Sequence, residues 1–358
     1  MTKRQIELGG DYDLRIDALR KAEHTVFDYY SSCENVSYFE SGRSAIRQIA
    51  SHLQKGDRIL LPEFICESVI DCFRNQVIEF YRIGLDFKVS LEDLTPRIDG
   101  ARMLLLMHYF GKLQDAEDLR IIADRTKECG CIILEDATHS LLSKKRTIGD
   151  YVVSSIRKWI PIPNGALLAV YRDPLSLSSG NGSVGPGEDS RAEGMVLKSL
   201  FLAGELDCNE EYRAIFADAE HSLEERQGIY AMTDFARFCA TCVDLDDVAL
   251  KRKRNFRVLG EMLETLGVVS AIDFDGESCP LVFPIRVPHR NELRKHLIHN
   301  RVYCAVHWPF DGISESERVT ARRNSEELLS LPIDQRYGFE HMEHIAAALK
   351  SYGGALSF

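Results

Sequence analysis

Arg102-Met103-Leu104-Leu105-Leu106-Met107-His108-Tyr109 is the run that decides the architecture. Its apolar residues do not alternate with polar ones, so a strand built from them has no wet face. Two runs of the same kind flank it in sequence. Upstream is Arg58-Ile59-Leu60-Leu61-Pro62; downstream, Cys131-Ile132-Ile133-Leu134 runs into Glu135-Asp136-Ala137-Thr138-His139. Helical patterns lie between them: Ala45, Ile46, Ile49, Ala50 and Leu53 on one face, then Val69, Ile70 and Phe73, then Leu119, Ile121, Ile122 and Ala123. Residues 36–39, 77–81, 152–155 and 166–170 read as further strands. Strands alternating with helices, and strands apolar throughout, predict an α/β fold with a mostly parallel sheet covered by helices on both faces.

Ligands bind such sheets beyond the carboxyl ends of the strands. The groups expected there are Ser41-Gly42-Arg43-Ser44, Phe64, His108-Tyr109, Asp136 to His139, and the loop Ser154-Ser155-Ile156-Arg157-Lys158-Trp159-Ile160-Pro161-Ile162-Pro163-Asn164-Gly165. The turn at Ser41-Gly42 opens a helix, whose first N–H groups and dipole favour a phosphate; it also reads as plain N-capping by Ser41 or Ser44. Taken singly, Lys158 is an ordinary solvated lysine and Asp136 a helix cap. Together they are what pyridoxal phosphate chemistry needs: an amine to condense with the aldehyde, and a carboxylate to keep the pyridine nitrogen protonated. Five strand ends carrying suitable groups favour that second reading.

The length, 358 residues, predicts two domains. The boundary is placed after residue 248, with 1–248 as the large domain and 249–358 as a smaller α+β domain of short strands and helices. Net charge is −11, which argues against a general nucleic-acid binder or an anionic membrane surface as partner. The chain lacks an apolar run near the roughly 20 residues that span a bilayer, and opens on Met1-Thr2-Lys3-Arg4-Gln5; a cytoplasmic protein is expected. The ten cysteines fit if they stay reduced. Cys239-Ala240-Thr241-Cys242 lies in a helical pattern and reads as core packing, not as a metal site. Residues 1–36 read as an amphipathic lead-in helix, and residues 173–195 as a mobile loop, either a lid or a surface excursion. Residues 196–266 read as helical, and Lys251-Arg252-Lys253-Arg254 as a solvated helix face.

With these pieces in order, the chain resembles the DegT/StrS-type sugar aminotransferases, within the fold type I pyridoxal phosphate enzymes. The resemblance is carried by Ser41-Gly42-Arg43-Ser44-Ala45, Leu61-Pro62, His108-Tyr109-Phe110-Gly111 with Asp115, Glu135-Asp136-Ala137-Thr138-His139, Gly149-Asp150, Lys158, His307-Trp308-Pro309 and Leu331-Pro332-Ile333. It implies an aspartate-aminotransferase-like large domain with pyridoxal 5'-phosphate as cofactor. Lys158 becomes the lysine that holds the aldehyde and moves protons, and Asp136 the partner of the ring nitrogen. His139, where the family usually has glutamine, meets the ring hydroxyl. Gly42, Arg43 and Ser44 hold the phosphate, with Ser154 or Ser155 adding a hydroxyl. Cys66 falls where a ring-stacking aromatic is expected, and Phe64 is the candidate to replace it. Asn164-Gly165-Ala166 stands where the family has two glycines.

The implied reaction passes an amino group from glutamate to a nucleotide-linked keto sugar in amino-sugar or surface-polysaccharide synthesis, by a homodimer. Three other readings stay open: a related cofactor enzyme that dehydrates sugars, disfavoured because such relatives have histidine where this chain keeps Lys158; a non-catalytic, cofactor-binding regulatory or scaffolding protein; and an enzyme acting on a non-sugar ketone. Arg43, Arg157 and Arg172 are candidate anion clamps. Lys158, beside Arg157 in a dry pocket, is expected to have a lowered pKa.

Overall fold

The computed structural model describes residues 5–30, 33, 35–143, 147–177, 183–184, 190–309 and 318–356, with backbone only for 183, 184 and 190. Its centre is a nine-stranded sheet. The strands, in chain order, are β1 (Asn35–Phe39), β2 (Arg58–Pro62), β3 (Val77–Tyr81), β4 (Met103–Met107), β5 (Ile132–Asp136), β6 (Tyr151–Ser154), β7 (Ala166–Val170), β8 (Ser183–Val184) and β9 (Tyr230–Ala231). They lie side by side as β3-β2-β4-β5-β6-β7-β1-β9-β8. The block from β3 to β6 is parallel throughout. β7 runs against both β6 and β1.

All five residues of β4 are buried, and so are all five of β5. Helices cover both faces at this point, which is why neither strand needs a polar alternation. Leu104, Leu105 and Leu106 are fully enclosed. At about 2 kcal/mol for each enclosed leucine, the middle of the sheet is where burial stabilises the fold most. The helix α1 (Gly42–Ala50) follows β1, and Ser41 starts it: its side chain accepts from the N–H of Ser44 at 3.2 Å.

Several expectations fail for local reasons. Residues 1–36 do not form one helix. Leu8–Gly9 is instead a short strand, parallel to Val302–Tyr303. Gly9 and Gly10 have φ of 88° and 66°, which no right-handed helix contains. Among the described residues, helical turns appear at Ile16–Ala18, a 3-10 turn, and at Val26–Tyr29, capped by Thr25. The region 196–266 is not helical throughout: after α2 (Asn209–Glu225) the chain turns to add β9 to the sheet beside β1. Of the segment 173–195, residues 178–182 and 185–189 lie outside the described residues, as do most of the side chains there; Ser190–Ala203 is a helix, not part of a loop.

A second core gathers Phe283, Ile285, Leu329 and Leu331 from the antiparallel pair β10 (Phe283–Arg286) and β11 (Leu328–Leu331), under the helices Arg290–His299 and Phe339–Lys350. The helix Val319–Glu327 leads into β11; neither element has a clear periodic signal in the sequence. The two cores share one long helix, α3 (Leu245–Glu264), begun by Asp244, which accepts from the N–H groups of Asp246 and Asp247 at 3.0 Å. Leu245 and Val248 belong to the core under the large sheet; Leu259 and Leu263 belong to the other. The run at 251–254 lies mid-helix, and Arg252 is buried, not solvated. All ten cysteines are free thiols, and Cys239 lies in the core. Among the described residues, no helix is long and apolar enough to cross a membrane.

The turn after β4 depends on Gly111. Its φ is 108°, and a Cβ there would meet the carbonyl oxygen of Cys279 at 2.0 Å. Gly111→Ala is therefore expected to destabilise the protein by roughly 3 kcal/mol, through strain plus steric overlap. A urea-unfolding midpoint unchanged from wild type would contradict this.

Candidate active site

The site is built on a pinned loop. β6 and β7 form a hairpin, and the lysine stretch is its connection. The N–H groups of Ile156 and Arg157 both donate to the carbonyl of Gly165, at 3.0 and 3.2 Å. Residues 156–158 then make a single turn of 3-10 helix. Trp159 is fully buried, and its indole N–H donates to the carbonyl of Thr138 at 2.7 Å. Ser155 N–H donates to Thr138 Oγ1 at 3.1 Å, and Thr138 N–H to Asp136 Oδ1 at 2.8 Å. The lysine loop is thereby bolted to the turn that carries Asp136. From the other side, the carbonyl of Trp159 accepts from Tyr12 Oη and Gln335 Nε2, at 2.9 and 2.7 Å. Arg252 lies over the Trp159 ring at 4.8 Å and donates to the carbonyl of Leu281.

A cavity of about 400 Å³ opens beyond the carboxyl ends of β4 and β5 and the start of α1. That is within the usual range for small-molecule sites. Gly42, Arg43, Asp136, Ser155 and Lys158 all line it. A second cavity, of about 420 Å³, shares Arg157 and Lys158 with the first and extends toward Arg252, Tyr303 and Arg336. Lys158 projects between the two. Its side chain keeps accessible surface because it stands in a hollow, yet protein surrounds it. That enclosure lowers its pKa; the nearby Cys66 and Asp136 favour the charge, and Arg157 opposes it.

The other residues expected at the site divide clearly. Ser155 reaches the cavity, whereas Ser154 is turned into the core and donates to the carbonyl of Ala137. Ser44 is buried behind Ser41, which takes its place on the cavity wall. Phe64 does not reach the cavity. It is wholly enclosed among Tyr109, Phe87 and Trp308, with its ring 5.1 Å from Trp308. Cys66 and Trp308 line the wall instead. His139 is fully buried, and its ring stacks on Trp308 at 5.3 Å and 18°. Its Nδ1 accepts from the N–H of Phe110, and its Nε2 is buried without a partner. Burial, then Lys158 and His307, push its pKa well down, so the ring is neutral. Arg172 is not a clamp: the hairpin puts it at the opposite end of the strands from Lys158, where its Nε pairs with Asp150 at 2.5 Å.

Sequence reading overlooked Glu220, on α2. It receives Arg43 at 3.2 Å, Arg157 at 3.1 Å and Arg191 at 2.6 Å. Burial works against its charge, but the three guanidinium groups outweigh that and hold the carboxyl down to about 2. Only distant chain segments bring these four together, so no local pattern signals them. Among the described residues, no group of three or more His, Cys, Asp or Glu could hold a metal ion.

The residues lining the cavity fit a phosphorylated pyridoxal ring: a buried carboxylate, a lysine amine and the first turn of a helix. His139, expected at the ring hydroxyl, lies behind Trp308 and does not line the cavity.

Solved structures share this architecture. DesV of S. venezuelae, in complex with a ketimine intermediate, aligns over 96% of this chain and 93% of its own, at 17% identity and a TM-score of 0.64. Spr1654 of Streptococcus pneumoniae, assigned as a sugar aminotransferase and solved in its PLP form, covers 97% and 98% at 12% identity and 0.68. The sugar aminotransferase CalS13 of Micromonospora echinospora covers 94% of each chain at 14% identity and 0.62. The chain thus shares the α/β fold of these aminotransferases over nearly its whole length. No family model matches the sequence, and no curated protein matches it.

The Glu220 carboxyl, depressed from 4.5 to about 2, contributes stability that is fully present above pH 4.5 and is lost as pH falls toward 2. Glu220→Gln should therefore be less stable than wild type at neutral pH, with the gap closing as the solution is acidified through that window. Urea midpoints measured across it check this; a gap that widened on acidification would contradict it.

Proposed function

We propose that the protein is a pyridoxal-phosphate-dependent aminotransferase that carries an amino group from glutamate to a nucleotide-linked keto sugar. One observation carries the reading: Lys158, Asp136 and the open turn at Gly42-Arg43 line a single cavity at the carboxyl end of a parallel sheet. The likeness in fold to sugar aminotransferases supports it.

When bound there, pyridoxal phosphate supplies an aldehyde that condenses with an amine and a ring that takes up electrons from the neighbouring carbon. The chain's residues do the remaining work. Asp136 would hold a proton on the ring nitrogen; its own position is kept by the Thr138 N–H. Gly42, Arg43 and Ser155 would hold the phosphate, with the dipole of α1 adding to the attraction. His139, kept neutral behind Trp308 and outside the cavity lining, supports that wall and does not itself reach the ligand space. Trp308, backed by the His139 ring, is the aromatic surface on the cavity wall. Lys158 is neutral more readily than a free lysine, so its Nζ can take a proton and return it: a general base, then a general acid. The buried Ile156, Trp159 and Ile160 keep bulk water from the loop behind it. The second cavity would take the acceptor, since Lys158 faces both spaces. In this reading residues 1–248 form the cofactor domain, residues 249–358 the smaller domain, and two copies associate as a homodimer in the cytoplasm.

Lys158→Ala should abolish turnover and leave no borohydride-stable bond between protein and cofactor. Retention of either result would end the assignment. Asp136→Ala should lower the rate by about 10³-fold, in line with loss of a group acting through a proton. Its affinity for the cofactor, measured by calorimetry, should change far less.

A further inference from the structure

Arg157 and Arg191 stand together on the wall of the second cavity. Their side chains are only 18% and 9% exposed, so each needs an anion at all times. That anion is Glu220, whose side chain is 41% exposed and whose two oxygens are divided among three arginines. Arg191 also pairs with Asp11, so three guanidinium groups face two carboxylates. The cluster keeps an excess of positive charge one residue away from Lys158. Its cations are fixed and buried; its carboxylate is the partly solvated member, and the one that loses least by moving into water.

We infer that Arg157 and Arg191 form the carboxylate clamp for the amino donor, and that Glu220 is an internal stand-in which the donor's carboxylate displaces. This rests on the aminotransferase reading for the donor's identity, though not for the existence of the clamp. The ligand class is a small dicarboxylate, because a planar guanidinium pairs best with a carboxylate through two parallel hydrogen bonds. Arg43, the third partner, belongs to the phosphate side: it follows Gly42 in the first turn of α1 and donates to the carbonyl of Leu223. When Glu220 withdraws, Arg43 keeps the phosphate while Arg157 and Arg191 change partner.

The test titrates the full-length protein, with and without pyridoxal phosphate, against glutarate, a dicarboxylate with no amine to react. Inorganic phosphate is the second ligand. Glu220→Gln removes the internal competitor and should tighten glutarate about tenfold or more, the effect of one charge-assisted hydrogen bond. Glu220→Asp keeps the charge on a shorter arm and should tighten it less; it supplies the same comparison if the glutamine variant does not fold. Arg191→Gln should weaken glutarate at least about tenfold. Phosphate affinity should stay within about threefold in Arg191→Gln, because Arg191 does not line the phosphate cavity, and should rise less than glutarate affinity in the Glu220 variants, which also release Arg43. The proposal is overturned if neither Glu220 variant tightens glutarate, or if phosphate affinity moves instead. Failure of the cofactor to bond Lys158 would end the preceding reading alone, because glutarate binding without cofactor still decides the clamp.

Discussion

One hydrogen bond holds the site together: the indole N–H of Trp159 on the carbonyl of Thr138, deep under the sheet. It joins the two segments that bear the chemistry, the loop of Lys158 and the turn of Asp136. A buried indole donor without an acceptor is costly, as is a buried peptide carbonyl without a donor. Each therefore holds the other in place, and the side chains on either side inherit a fixed separation. Thr138 makes the join wider than one bond. Its carbonyl takes the indole, its hydroxyl takes the N–H of Ser155, and its own N–H reaches back to Asp136.

Around this fixed frame the charges are arranged by burial. His139 and His307 sit close to the amine of Lys158, and both are driven to the neutral form, His307 to about 3 by burial and then by Lys158. Two uncharged imidazoles beside the lysine let its amine respond chiefly to Asp136, Cys66 and Arg157. The strong cations are held a step away, on Glu220. The two cavities thus meet at a lysine whose charged form is disfavoured by its enclosure.

Most of the frame could be read from the residues in order. The unbroken apolar runs at Met103–Met107 and Cys131–Leu134 could only be covered strands, and sheets of that kind present their strand ends to ligands. Lys158, Asp136, Gly42, Arg43 and Ser155 line the cavity for that reason. Side-chain direction was less legible. Ser154 and Ser155 are adjacent on one strand end, and the pleat sends them to opposite sides; which one faces the ligand depends on register. Phe64 was chosen for its ring, but a ring enclosed by Tyr109 and Trp308 has no free face. Trp308 could be noticed only as part of a resemblance, since it arrives from the far end of the chain. Glu220 and Arg252 had no signal at all: in a charged helix, an acid or base that turns inward has the same neighbours in sequence as one that does not. The N-terminal segment misled because its apolar residues have helical spacing, while its glycines and its pairing with Val302–Tyr303 hold it extended.

The helix α3 ties these parts in another way. It is a rigid rod whose first turns are embedded in one core and whose last turns are embedded in the other. Near its middle, Arg252 grips Trp159, Tyr12, Gln335 and the carbonyl of Leu281 simultaneously. A lever pinned at that point cannot tilt without dragging the indole along. Any tilt of this helix would therefore be felt at Trp159, and through it at the loop of Lys158.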